Sequence, residues 1–152
     1  MLDELILDFT TTEAAILSIA AIIIYILMVV GEWRILTKAG EKGWKALIPF
    51  YNLYVSHHIV GMAHFWFVTE VIIWFLELGL DLIPGIPDTV IWALGIPIGI
   101  FTLISELVHI NLLCNCFRKG VAYKLGMILV PYVFTLILAF GKAEYHHPEA
   151  AK

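Results

Sequence analysis

The chain has 152 residues, 61% hydrophobic and 14% charged, where an ordinary soluble domain is about half apolar and about a quarter charged. A soluble fold of this length could not bury so much apolar surface, so composition points to lipid as the solvent. The net charge of −4 excludes the basic footprint of a nucleic-acid binder, and Cys114 and Cys116, about 200° apart on a helix, imply no disulfide framework.

The opening "MLDELILDFTTTE" carries Asp3, Glu4, Asp8 and Glu13. A cleaved signal peptide starts with positive charge, so this end is expected to stay uncleaved and outside. The first apolar run, 14–31, is interrupted only by Ser18 and Tyr25 and nearly reaches the ~20 helical residues that a ~30 Å hydrocarbon core needs. "KAGEKGWKALIPFYN" (38–52) follows. Unpaired backbone is not tolerated against lipid, which places Gly40 and Gly43 near the surface, and Trp33 and Trp44 suit the headgroup level. Pro49 suits the first position of a helix, and Asn52 and Ser56 share a face beside Leu53, Val55 and Ile59. Residues 44–60 are therefore predicted to form one amphipathic helix lying in the interface or dipping in.

The second apolar run, about 63–80, holds Glu70 and Glu77. "LIPGIPDT" (82–89) reads as a tight outer loop, with Asp81 and Asp88 at the outer rim. The third run, about 90–117, contains Pro97 as an expected kink, and the fourth, about 123–140, contains Pro131. If 44–60 does not cross, Arg34, Lys38, Lys42 and Lys45 share a side with Arg118, Lys119 and Lys124, as positively charged loops do on the cytoplasmic face. The expected fold is all-α: a single domain over 1–152, a polytopic membrane four-helix bundle with an added interfacial helix. Both termini are expected outside the cell membrane. Arg34, Lys42, Lys45, Arg118 and Lys124 are expected to contact lipid headgroups.

Two stretches carry a family resemblance. "WRILTKAGEKGWKALIPFYNLYV" (33–55) supplies Trp33, Lys38, Ala39, Gly40, Gly43, Trp44, Ala46, Pro49, Tyr51 and Asn52. "FRKGVAYKLGMILVPYVFTLILAFGKAEY" (117–145) supplies Lys119, Gly120, Gly126, Pro131, Phe140, Gly141 and Tyr145. The pattern resembles that of small bacterial and archaeal multi-spanning membrane proteins of unknown function, some of them linked to a type I signal peptidase. The resemblance implies a membrane architecture and no catalytic role. Relatives often carry an acidic residue before the Phe-x-Lys-Gly turn, where this chain reads "INLLCNCF".

Ionisable residues inside a membrane are functional candidates by default. Glu70 and Glu77 lie seven apart on one helix, Glu106 and His109 three apart on another, and counting depth from the cytoplasmic ends gathers all four into one layer. Three readings follow. The layer could make structural polar contacts, bind a transition metal or protons, or line a small-molecule cavity. Glu-x-x-His facing carboxylates is the ligand grammar of di-metal bundles, with Glu106, His109, Glu70 and Glu77 as the ligands, His57, His58 and His64 near the cytoplasmic rim able to supply the missing imidazoles, and a dimer able to supply a second motif; the same carboxylates could instead hydrogen-bond Thr69, Thr102, Ser105 or Asn111 on neighbouring turns. No phosphate loop, Gly-x-Ser-x-Gly or His-Glu-x-x-His is present, so no catalytic residue is expected. The favoured expectation is a non-catalytic accessory or assembly module that packs against itself or another membrane protein. The alternative is an intramembrane metal- or proton-binding bundle, acting as a carrier or redox subunit.

Overall fold

The computed structural model describes residues 2–83 and 85–148; the side chains of residues 2–12, Asp81 and Asp88 lie outside that description, and with them the carboxylates of Asp3, Glu4 and Asp8 and of the outer rim. The first helix, α1 (Leu2–Lys38), is 37 residues long, about 55 Å at the α-helical rise. From Glu13 to Leu27 its side chains are exposed on every side although nearly all are apolar. The helix runs on through Gly31, Glu32 and Trp33 and stops at Gly40. There a φ of +84° lets Glu41 N–H reach Leu36 O at 2.9 Å and Gly40 N–H reach Thr37 O at 3.1 Å, which satisfies two orphan carbonyls.

After Gly40 the chain doubles back. A 3-10 turn, Gly43–Leu47, packs along α1, with Gly43 so close to the Trp33 indole that a Cβ would overlap the ring. At the far tip Tyr51 N–H bonds Pro49 O at 2.6 Å across Phe50, at φ 61° and ψ −42°. This is a γ-turn of positive φ, rare and strained for a bulky residue. Aromatic packing holds it: the Phe50 ring lies 5.0 Å from Trp74 and 5.9 Å from Phe75. Helix α2 (Tyr51–Ile59) then returns antiparallel to α3 (His64–Leu82), with Tyr54 against Phe67 and His64 at 5.5 and 5.8 Å. The single interfacial helix expected over 44–60 is thus two arms with a reversal at Pro49–Phe50. Trp74 is ten residues along α3, so the tip reaches about 15 Å from the starting end.

A second hairpin repeats the manoeuvre. Helix α4 (Asp88–Cys116) contains Pro97 and ends with Arg118 at φ 51°. Helices α5 (Val121–Leu129) and α6 (Pro131–Phe140) replace the one helix expected over 123–140. Pro131 offers no N–H to α5 and drives Val130 out of helical geometry, to φ −136° and ψ 67°. The chain then folds back on itself. Tyr123 donates to Phe134 O at 2.6 Å, their rings meet edge-on at 5.0 Å, and the Phe134 ring fills the space a Gly126 side chain would need. In a straight helix residues 123 and 134 would lie about 16 Å apart.

Helix α6 runs beside α1 in the same direction. Gly31 faces Leu136, Arg34 sits over the Phe140 ring at 5.5 Å, and Lys38 Nζ donates to Leu138 O and Gly141 O at 2.6 and 2.8 Å, capping the last turn of α6. The tail closes over the same end: Tyr145 donates to Ile59 O at 2.5 Å and His146 N–H to Cys116 O at 2.7 Å. Three helices, α1, α3 and α4, therefore run the length of the bundle, while both hairpins start and finish at the lysine-bearing end. The fully buried side chains Leu36, Val55, Val60, Cys114 and Leu138 lie at this end too.

Among the described residues two helical segments are long and apolar enough to cross a membrane, Glu13–Lys38 and Thr89–Cys116. The protein is all-α and membrane-associated. Several basic side chains find partners within the chain: Lys45 pairs with Glu41 at 2.5 Å, and Lys124 bonds Asn111 and Asn115 at 2.6 and 2.7 Å.

Candidate functional site

Four helices bring polar side chains to one interior cavity of about 240 Å³. From α1 comes Glu32, from α2 Ser56 and His57, from α3 Glu70, and from α4 Glu106 and His109. The break at Pro131 closes one wall. Counting along α1, α3 and α4 from the lysine-bearing end puts Glu32, Glu70, His109 and Glu106 about 9–15 Å in, while Ser56 and His57 lie in the last turn of α2.

Within the cavity the hydrogen bonds are specific. His57 Nδ1–H donates to Leu53 O at 2.8 Å, the i−4 carbonyl of its own helix. That bond fixes the ring's tautomer when it is neutral and leaves Nε2 with a lone pair. Nε2 faces Glu70 Oε2 at 3.5 Å and has no hydrogen-bond partner, although His57 is 4% exposed. The other oxygen of Glu70 accepts from the buried Ser105 hydroxyl. An unprotonated carboxylate opposite an imidazole lone pair would be repulsive, so the pair is satisfied only when a proton lies between the two atoms. Beyond His57, the His109 ring stands 5.4 Å away, and its Nε2 shares a hydrogen bond with Ser56 Oγ at 3.0 Å.

Of the four residues expected in one layer, Glu70, Glu106 and His109 meet here. Glu77 does not. Two turns further along α3, it lines a second cavity of about 300 Å³ with Phe50 and Trp74. Leu53, Glu70 and Glu106 border both cavities. The transition-metal reading is overturned. Among the described residues no group of three or more His, Cys, Asp or Glu is arranged to hold a metal ion. The donors are turned to other tasks: Glu70 to Ser105 and His57, and His109 Nε2 to Ser56, while Glu77 lies outside the inner cavity.

Glu32 and Ser56 were not among the expected site residues, whereas His57 was a candidate imidazole at the rim and Ser105 a candidate hydrogen-bond partner for the buried carboxylates, the role it takes toward Glu70. Glu32 was legible, because Met28, Glu32 and Ile35 fall at helical spacing on one stripe once α1 is allowed to run past Gly31. Ser56 was hidden, and His57 was set at the rim rather than inside, by reading α2 as part of an interfacial helix. Among the family-pattern residues, Trp33 and Gly43 form the tight contact of the first hairpin, Lys38 caps α6 close to Gly141, and Pro49 and Pro131 sit at the two reversals. Asn52 Oδ1 is buried without a hydrogen-bond partner. Cys114 and Cys116 are buried free thiols.

A family model described as "Family of unknown function (DUF5684)" matches residues 44–148, more than two thirds of the chain. The protein belongs to this family. The match covers the descending arm of the first hairpin, the Glu70 and Glu106 helices and the whole second hairpin, so all of the cavity except the α1 wall lies in the family's shared region. No curated protein and no solved structure matches the chain.

Proposed function

We propose that this protein is a non-catalytic, multi-pass membrane protein that binds and moves protons through the interior Glu/His cage. The observation that carries the reading is the Glu70–His57 contact, which needs a proton between its two atoms. The surroundings agree with it. Glu32, Glu70 and Glu106 line the inner cavity against two imidazoles, and among the described residues no Lys or Arg lines it. Three carboxylates cannot all stay charged and unpaired at low dielectric, so the cage holds protons or another positive charge.

In this reading α1, α3 and α4 cross the membrane and the two hairpins dip in from the cytoplasmic side, reaching about halfway through a ~30 Å core. Non-helical backbone at that depth is tolerated where it lines a cavity, which is where the Pro131 break lies. Eight of the nine basic residues, Arg34 through Lys142, then stand on or near one side, as the positive-inside rule requires. This arrangement has three crossings, with the N-terminus outside and the described end of the tail inside.

The accessory-module reading drew on residues at helix ends and bends. Their contacts here are made within one chain, Lys38 to α6 and Trp33 to Gly43, and call for no second protein. The polar groups point into a cavity rather than an outer groove.

Proton flux into liposomes holding a pH-sensitive dye tests the proposal. The intact protein is expected to conduct protons down an imposed gradient, with Glu70→Gln reducing the rate tenfold or more. Equal rates for Glu70→Gln and the intact protein would refute it.

A further inference from the structure

The second cavity has its own chemistry. It opens between the tip of the first hairpin, α3 and α4, and its walls combine Phe50 and Trp74 with Glu77, Glu70 and Glu106. Phe50 and Trp74 meet edge to face at 5.0 Å, so the two rings present a corner rather than a stack. Trp74 is 48% exposed and leaves ring surface for a guest. Aromatic faces beside carboxylates attract a cation twice, through the ring quadrupoles and through the negative charge. Among the described residues no Lys or Arg lines either cavity. At its inner edge the cavity meets the cage through Glu70, whose partner His57 keeps an unpaired, buried Nε2 facing it from the inner-cavity side.

We propose that the lateral cavity binds a singly charged organic ammonium, an alkylated amine of modest size, in exchange for a proton on the cage. The inference rests on the proton-binding reading and names what the proton exchanges with. Volume sets the size of the guest: about 300 Å³ lies at the lower end of small-ligand pockets. Strongly hydrated inorganic cations gain little from aromatic faces, whereas an alkylammonium carries its charge over a greasy surface that suits Phe50, Leu53 and Ile73. The exchange balances. The ammonium takes up one carboxylate's negative charge, and one proton leaves for solution. The groups that compete for that proton are Glu77 and Glu70 on α3, Glu106 and His109 on α4, His57 on α2 and Glu32 on α1.

The test is calorimetric titration of the full chain in lipid nanodiscs with tetraethylammonium, and with its neutral isostere 3,3-diethylpentane as control. Binding is expected for the cation and not for the isostere. It should weaken as protons are added to compete for the same carboxylates, and release protons in weakly buffered solution. Trp74→Leu should weaken it about tenfold while Trp74→Phe retains most of it, because the ring face and not the bulk is what binds. Glu77→Gln, isosteric and surface-exposed, supplies a second variant should Trp74→Leu fail to fold, and should also weaken binding about tenfold. Equal binding of cation and isostere, or binding untouched by both Trp74→Leu and Glu77→Gln, would overturn the proposal. So would an absence of cation binding in a protein that still conducts protons, a result that leaves the proton reading standing. Cation binding without proton release would overturn the exchange as well.

Discussion

Gly126→Ala should change the sign of its effect with the residue at position 134. In the middle of α5, replacing glycine by alanine favours the helix by about 1 kcal/mol. Here the new Cβ would drive into the Phe134 ring, which is held in place by Tyr123 beneath it. Overpacking of this kind costs about 1–3 kcal/mol, so Gly126→Ala alone should destabilise the protein by about 1 kcal/mol. In a Phe134→Ala background the obstruction is gone, and the same change should stabilise by about 1 kcal/mol. The coupling between the two sites is then about 2 kcal/mol, far above the ~0.5 kcal/mol scatter of independent sites. Reversible unfolding in mixed micelles by increasing anionic detergent would measure all four corners of the cycle. A straight helix over this segment puts residues 126 and 134 about 12 Å apart along its axis. Additive effects with an unchanged sign would refute the hairpin.

Three other outcomes can be checked. Burial pushes the Tyr145 phenol up to about 12, so the neutral form belongs to the closed tail. That contribution is complete below about pH 10 and is lost as pH rises through the folded value; proteolysis of the tail should accelerate in that window, and Tyr145→Phe should show the faster cleavage at neutral pH. Arg118 sits at φ 51°, where a residue with a Cβ is penalised by about 1 kcal/mol. Arg118→Gly should therefore stabilise by about 0.5 kcal/mol in the same detergent titration, and Arg118→Ala should not. Lys38→Met removes two charge-assisted bonds from the end of α6 and should cost about 2 kcal/mol, with hydrogen exchange rising first at the amides of residues 137–141.

The apolar runs were sufficient to find the long helices. The runs at 14–31, 63–80 and 90–117 lie within or nearly coincide with α1, α3 and α4, because about twenty apolar residues in lipid have few alternatives to a helix. The reversals were not visible in the same signal. Hydropathy over 123–140 is as high for a chain that turns back at mid-depth as for one that crosses, and Pro131 is compatible with either a kink or a break. What settled the matter locally was Gly126 opposite Phe134, a contact between positions eight apart that no periodicity announces. The Phe50 tip was harder still, since a phenylalanine at positive φ is disfavoured by its own propensity and is held only by Trp74 and Phe75. Glu70, Glu106 and His109 stood out as charges in oily runs. Glu32 escaped because its importance depended on where α1 ends, and His57 was expected only as a rim imidazole because α2 was not expected to return inside the bundle.

The shared proton between Glu70 and His57 is the claim on which the functional reading depends. Nitrogen-15 spectra of histidine-labelled protein in bilayers at neutral pH report it directly. We expect the His57 Nε2 resonance to be that of a protonated or strongly hydrogen-bonded nitrogen and to move markedly in Glu70→Gln. A bare, unbonded Nε2 that is indifferent to Glu70→Gln would contradict the proposal.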